Sequence, residues 1–573
     1  MTNFSEPASP LPRDAGLLVP VSAMRHAHDL GIGDVLAVRQ AIGFCARHGF
    51  RVLQFLPICE TFGDHSPYNP ISSHAFSPTL LHLHPDEVPG LTPEILERFA
   101  PADWIAQLRH GTVKHASIHT LKSHILQAAW DEFRRMPSDA RHAEMHGFQE
   151  THQDWLEPFT LYRLLIREHE GNADWQTWRP ELQTYPSAQR WLSAHPDRAT
   201  LELRRDGYAF IQWVAARQWH GVREHAEEHG VRLMGDLPFA MSRNSADVWA
   251  NPELFDPDWN MGSPPLAFFD TTAEAEKWGQ NWGLPPYRWQ NHRSSGFAWQ
   301  KARISWLANF VHIMRIDHLR GYFRAYMFPW PGGPKHGEFS KLTEAEILLK
   351  TNGRLPRFVP GPDHDAEMAN MNRLQGVEII RAMREAAGDT ILIAEIMGEL
   401  PPYIADVIEQ MELPHLVFPQ FEAGRKKVSA FRRLSLAAYA NHDNAPLASV
   451  LLTLREQAAH DPAKARELQT LLAFAGWAGP MPGEAVTDDL LASFQKALFE
   501  TPCMLAILMS SDLLGNHQRF NLPGSYGLEA WCERLEFTFE ELERHPIYGP
   551  RIARAAQLAR SIRPSLQKRI ASS

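Results

Sequence analysis

Eight short apolar runs, spread along 573 residues, constrain the fold of this chain more than any other feature. They are Leu17–Ser22, Arg51–Pro57, Val231–Pro238, Val311–Ile316, Thr390–Ile396, Leu416–Phe418, Leu434–Tyr439 and Cys503–Met509. Near-continuous apolar runs of this length are strands buried on both faces. Most are separated by stretches with helical periodicity, such as Val35–His48, Tyr208–Gly230, Trp299–Phe310 and Met371–Ala387. Eight strands alternating with helices predict an α/β fold, a parallel (β/α)8 TIM barrel, and the length suits one barrel (1–573) with large insertions. Residues 85–205 show helical pieces, among them Trp155–His169 and Ala188–His195, but no strand. That is too long for a connection and predicts an inserted helical subdomain. Residues 242–293 are rich in Pro, Asn and Trp with little periodicity, which predicts a long active-site loop insertion.

Several runs end in carboxylates: Asp236, Asp317, Glu395, Asp443 and Asp512. A barrel carries all such ends to one face, where barrel enzymes do their chemistry. The densest cluster is Arg315-Ile316-Asp317-His318-Leu319-Arg320-Gly321-Tyr322. Arg315 shares a strand face with Asp317 and is expected to keep it ionised. Glu395 sits among apolar neighbours, which raises its hold on a proton. Asp443 lies in Asn441-His442-Asp443-Asn444. Two carboxyl groups in opposite protonation states are what glycosidic-bond chemistry requires. Each residue alone has a blander account: an ion pair for Asp317, a helix cap for Glu395, an Asx turn for Asp443.

Composition removes other classes. Net charge is −10 with no dense basic block, which argues against a nucleic-acid partner. No apolar segment reaches about 18 residues, so no membrane span is expected. The N-terminal stretch Met1–Asp14 lacks the basic-then-apolar pattern of a signal peptide. Cys45, Cys59, Cys503 and Cys532 stand at no metal-ligand spacing and are expected to be reduced thiols of a cytoplasmic protein. The 29 histidines are scattered, and His26–His28 is too short a signal for a metal. No phosphate-cradling loop appears, so neither metal nor cofactor is expected. The 18 Trp and 30 Phe suit either a large core or a carbohydrate cleft.

The motifs along the chain resemble those of the 4-α-glucanotransferases of the amylomaltase, or disproportionating-enzyme, type, which are related to the α-amylases. They are GIGD (Gly31–Asp34), SPY (Ser66–Tyr68), GDLPF (Gly235–Phe239), SADVWANPELF (Ser245–Phe255), WGLPPYRW (Trp282–Trp289), RIDHLRGY (Arg315–Tyr322), AE (Ala394–Glu395), HDN (His442–Asn444) and NLPG (Asn521–Gly524). The resemblance implies a retaining double displacement on α-1,4-glucans, with Asp317 as nucleophile, Glu395 as acid/base and Asp443 as transition-state stabiliser. It implies substrate contacts from Tyr68, Asp236, Trp282, Arg315, His318, His442 and Asn444. The partners would be an α-1,4-glucan and a sugar acceptor, met by a monomer or weak homo-oligomer. Three departures stand out. Ile396 replaces the Asp that usually follows the acid/base, Asn441 replaces the usual Thr, and Leu266 follows Pro264-Pro265 where an Asp is usual. The alternatives are an α-glucan hydrolase with the same carboxylates and an inactive glucan-binding protein.

Overall fold

A computed structural model describes residues 13–563, apart from 64, 137, 266–277, 331–338, 340, 397–399, 423–429, 482, 484–485 and 523–529. Twelve strands occur among the described residues. They are β1 (Asp14–Leu18), β2 (Val52–Gln54), β3 (Arg232–Leu237), β4 (Trp259–Ser263), β5 (Gln280–Leu284), β6 (Ile313–Ile316), β7 (Ala325–Pro329), β8 (Arg357–Val359), β9 (Ile391–Ala394), β10 (His415–Val417), β11 (Ser435–Ala437) and β12 (Leu505–Met509). Eight close a barrel in the order β1-β12-β11-β10-β9-β6-β3-β2, with parallel pairing throughout. Each of the eight apolar runs supplies one barrel strand. The first is shifted: β1 ends at Leu18, and Val21–Ala23 form a 3₁₀ turn. Pro20 has no N–H to continue the ladder, so the strand cannot run on to Ser22.

Strand parity sorts the core into two layers. Leu18, Val52, Met234, Ile313, Ile393, Leu416, Leu436, Leu505 and Ile507 fill the barrel. Leu17, Leu53, Leu233, Met314, Leu392, Ala437, Ala506 and Leu508 face outward into the larger cluster shared with the helices. The helix Val35–His48 follows the expected bounds: the Asp34 side chain accepts from the Leu36 and Ala37 N–H groups, and Gly49 (φ 80°) closes it.

Between β2 and β3 the chain is helical, from Pro93–Phe99 to the long Arg198–Glu228. Residues 242–293 carry more regular structure than their composition suggested. Beside the short helices Ala246–Ala250 and Trp289–Ser294 they hold β4 and β5. These join β7 and β8 in an antiparallel sheet of order β5-β4-β7-β8. Its central pairing sets Trp259 against Pro329 and Gly262 against Tyr326.

Candidate active site

The parity that fills the barrel also builds its rim. Two residues beyond Met234, Ile313 and Ile393, on the same inward face, come Asp236, Arg315 and Glu395. Asp236 pairs with Arg315 across β3 and β6, and Arg315 with Ile393 across β6 and β9. The Arg315 guanidinium is 3% exposed and is shared. Its Nη1 lies 2.7 and 2.8 Å from the two Asp236 oxygens and 3.1 Å from Asp317 Oδ1. The sequence credited this cation to Asp317 alone, but Asp236 takes the shorter contacts. Burial therefore pushes the Asp317 carboxyl up to about 7 against the pull of Arg315, with Asp236 and Glu395 adding like charge. The expectation that Arg315 simply holds Asp317 ionised is corrected on this point. Asp317 Oδ2 also accepts from the Phe239 N–H at 3.2 Å.

Glu395 lies at the end of β9, 7% exposed. Burial raises its carboxyl, opposed by Arg315 and reinforced by Asp443. It accepts a hydrogen bond from the His318 N–H at 3.0 Å. His318 has φ 45°, the left-handed region that non-glycine residues seldom occupy. This turn aims the His318 N–H at Glu395. A Cβ at Gly321 would stand 2.4 Å from the Phe239 ring and 2.7 Å from His318, so the turn requires glycine there. Burial lowers His318 to about 3, with Arg320, Arg324 and Arg315 adding to the effect, so the ring is neutral. It meets Trp282 of β5 edge-on at 5.0 Å. Ile396, the next residue, points to the opposite face and packs in the outer barrel–helix layer at 6% exposure.

Asp443 closes the rim from the segment after β11. Burial works to raise its carboxyl but is outweighed by His442 at 3.0 Å and Asn521, and the group is held at about 2. Asn521 Nδ2 donates to Asp443 Oδ1 at 2.6 Å, and Arg519 donates to the Asp443 carbonyl at 2.6 Å. The Asn441 side chain accepts from the N–H groups of Asp443 and Asn444 and from Asn444 Nδ2, at 3.0, 3.2 and 3.0 Å. Asn441 is thus the fixing side chain of an Asx turn, and Asn444 spends an amide proton within that turn. Tyr68 completes the wall. Its hydroxyl donates to Asp236 at 2.7 Å, and its ring stacks on His442 at 5.1 Å and 20°.

Site selection from sequence left out Asn521, Arg519, Phe239 and Trp531, whose ring lies 5.9 Å from Tyr68 and 5.7 Å from His442. The NLPG and GDLPF motifs contained Asn521 and Phe239; nothing local flags Arg519 or Trp531, which reach the rim only through folding. Two sequence expectations move away from the rim. Asp512 is 1% exposed and accepts from the Leu447 N–H at 2.8 Å, bracing the start of helix Leu447–Ala458. Trp249, inside the segment 242–293 expected to be an active-site loop, is fully buried, donates to the Leu182 carbonyl and packs on Tyr162 and Tyr185. SADVWANPELF is accordingly a structural motif: Asp247 accepts from Ser73 N–H, Ser73 Oγ and Trp299 Nε1 at 2.9, 2.6 and 2.9 Å. Leu266, the acidic residues of 271–277, Met397, Gly398, Pro523 and Gly524 lie outside the described residues.

Two groups of metal-type donors stand apart from the rim among the described residues: His26, Asp34 and His82, and His225, Glu228 and His229. In the first, the His28 N–H donates to His26 Nδ1 at 3.2 Å, which leaves the ring proton on Nε2, 3.0 Å from Asp34. That is a close contact between an imidazole and a carboxylate, each already held by the chain around it. The second sits at the end of helix Arg198–Glu228, just before β3 begins and so at the far end of the barrel from the rim.

A parallel eight-stranded barrel whose rim gathers four carboxyl groups, Asp236, Asp317, Glu395 and Asp443, after four strands fits one class: a carbohydrate-active (β/α)8 enzyme. The chain belongs to the 4-alpha-glucanotransferase family, whose model matches residues 19–538. It is 24% identical to a 4-alpha-glucanotransferase of Chlamydia caviae over 94% of this chain and 93% of that one. It is 29% identical to one of Synechocystis sp. over 70% and 72%. The fold is shared with the amylomaltase of Streptococcus agalactiae solved with acarbose, at TM-score 0.74 and 20% identity, covering 96% of this chain and 99% of that one. The amylomaltase of Corynebacterium glutamicum has TM-score 0.72 at 19% identity, covering 96% and 75%.

Proposed function

We propose that Asp317 is the nucleophile, Glu395 the general acid/base and Asp443 the transition-state stabiliser of a retaining transfer of α-1,4-glucan segments between maltooligosaccharides or starch- and glycogen-type glucans. The observation that carries this reading is the gathering of three carboxyl groups on one rim, Asp317 against Arg315, Glu395 against the His318 N–H and Asp443 against His442 and Asn521; burial raises the Glu395 carboxyl, whereas His442 and Asn521 hold Asp443 low. Burial and the neighbouring charge of Asp443 favour a proton on Glu395, as a general acid requires. Arg315, at 3.1 Å from Asp317, stabilises the carboxylate form that attacks. Asp317 attacks the anomeric carbon; the glycosidic bond breaks, and the leaving oxygen takes the Glu395 proton. The acceptor hydroxyl then returns a proton to Glu395 as its oxygen displaces Asp317. Asp443, ionised throughout, faces the positive charge that develops on the sugar ring.

In this reading Tyr68, Asp236, Arg315 and His442 shape the sugar subsite next to the cut bond, with Asn444 beside them. Trp282 and His318 line the side from which the leaving glucan departs. The helical insertion 85–205 and the segment 242–293 wall the cleft. The thiols of Cys45, Cys59 and Cys503 support a cytoplasmic setting. No helix among the described residues is long and apolar enough to cross a membrane. A monomer or weak homo-oligomer suffices, because every residue invoked belongs to one chain. The test is incubation with maltotriose and analysis of products. A ladder of shorter and longer maltooligosaccharides is expected; glucose and maltose alone would mean a hydrolase, and no products would mean a glucan-binding protein.

A further inference from the structure

Trp531 has φ 62°, a backbone conformation rare for a bulky side chain. Such a conformation persists only where the surroundings over-determine it, and it concentrates at functional sites. Here the surroundings belong to the helical insertion. His115 Nε2 lies 3.1 Å from the Trp531 carbonyl, and the Val113 N–H donates to the Cys532 carbonyl at 2.7 Å. Two consecutive carbonyls are thereby tied to the start of helix His115–Phe133. The His115 ring also stacks on His65 at 4.2 Å and 16°, three residues before Tyr68. Burial lowers His115 to about 4, so at neutral pH it is an uncharged ring donating to a carbonyl. The same corner of the insertion holds the rest of the Tyr68 loop, through Phe62 against His119 and Glu60 at 3.2 Å from Arg163.

The clamp sets the half-buried Trp531 indole beside Tyr68 and His442, at 5.9 and 5.7 Å between ring centroids. These rings stand with Asp443. The leaving-group side is marked instead by Glu395, His318 and Trp282. The negative π-face of an indole attracts the C–H groups on the apolar face of a pyranose, and a large flat side chain offers that face at little entropic cost. We propose that Trp531 is a stacking platform for a donor glucosyl ring on the glycon side of the cut bond, and that His115 is the residue that positions it. This rests on the transfer reaction proposed above and adds a subsite to it.

Steady-state transfer from maltotriose to glucose, with donor and acceptor varied separately, tests it. Trp531→Ala should raise the donor KM about tenfold, the scale of one lost aromatic anchor, with kcat and the acceptor KM within about twofold. Trp531→Phe should keep most of the donor affinity. His115→Leu should reproduce the donor defect, and His115→Gln, which retains an N–H donor, should restore it. An unchanged donor KM in folded Trp531→Ala, or a rise confined to the acceptor KM, overturns the platform; equal behaviour of His115→Leu and His115→Gln overturns the positioning. If Trp531→Ala does not fold, titrating maltotriose into Asp317→Asn and into Asp317→Asn/Trp531→Phe decides. Loss of ligand-dependent tryptophan quenching in the double variant supports the platform; identical quenching refutes it. A wild-type chain that makes no maltooligosaccharide ladder fails at the proposed function instead, which keeps the two failures distinct.

Discussion

The barrel rim and the small antiparallel sheet beside it reach the same cleft by opposite routes. On the rim, three of the functional groups lie two residues beyond an inward apolar residue of their own strand: Met234 before Asp236, Ile313 before Arg315, Ile393 before Glu395. Hydrophobic burial on one face fixes where the charge must point. In the antiparallel sheet, Trp282 owes its place to β5 pairing with β4, and β4 with β7, a strand that follows the intervening barrel strand β6. The rim is set by local parity and the sheet by distant pairing. Changes on the rim should therefore abolish chemistry, whereas changes on the sheet should retune binding.

The largest effect tests the rim. Asp317→Asn should lower kcat on the order of 10⁴–10⁶-fold, the range for a lost nucleophile, with circular dichroism unchanged. Undiminished turnover would remove Asp317 from that role. The same variant should be more heat-stable at neutral pH. The folded-state pKa of Asp317 is raised from 3.8 to about 7, so ionisation is resisted in the folded chain and costs stability once pH exceeds the unfolded value. The gain in Tm should accordingly vanish below about pH 4, where both states are protonated.

Glu395→Gln should lose on the order of 10²–10⁴-fold with an oligosaccharide donor and far less with a glucosyl fluoride, whose leaving group needs no proton. Equal losses on both substrates would exclude Glu395 as the acid. A substrate-bound crystal structure should place the Asp317 and Glu395 carboxyls about 5–5.5 Å apart; about 9 Å would mean inversion.

Asp236→Asn should move the acidic limb of kcat/KM to lower pH. It removes a like charge that raises Asp317 and leaves Arg315 free to pair with Asp317. An unmoved limb would mean that a different group governs it.

On the sheet, Trp282→Ala should raise the acceptor KM on the order of tenfold with little change in the donor KM, which is the mirror of the Trp531 result.

The smallest effect on rate is expected from Ile396→Asp, because that side chain faces the outer layer and reaches Glu395 only through packing. Its cost should appear in Tm instead, since a carboxyl would be buried among apolar groups. A rate loss as large as that of Glu395→Gln would break the parity argument.

Much of the molecule was written locally. Eight apolar runs became the eight barrel strands, and Asp236, Arg315, Asp317 and Glu395 converge on one rim because inward and outward residues alternate along a strand. Asn441 in place of Thr still supports the turn that carries Asp443, since a short side-chain acceptor is all that turn demands. Other features were decided only in three dimensions. The division of one guanidinium between Asp236 and Asp317 depends on strand register. The close seating of the Phe239 and His318 rings over Gly321 leaves no room for a Cβ there. Asn521 reaches Asp443 across 78 positions of the chain, and Trp531 is held by His115 across 416. The burial of Trp249, which looked like a cleft residue, follows from the helical insertion closing over it. A sequence records which side chains alternate along a strand, because that period is local; which distant segments meet at the strand's end is settled by the packing of the whole chain.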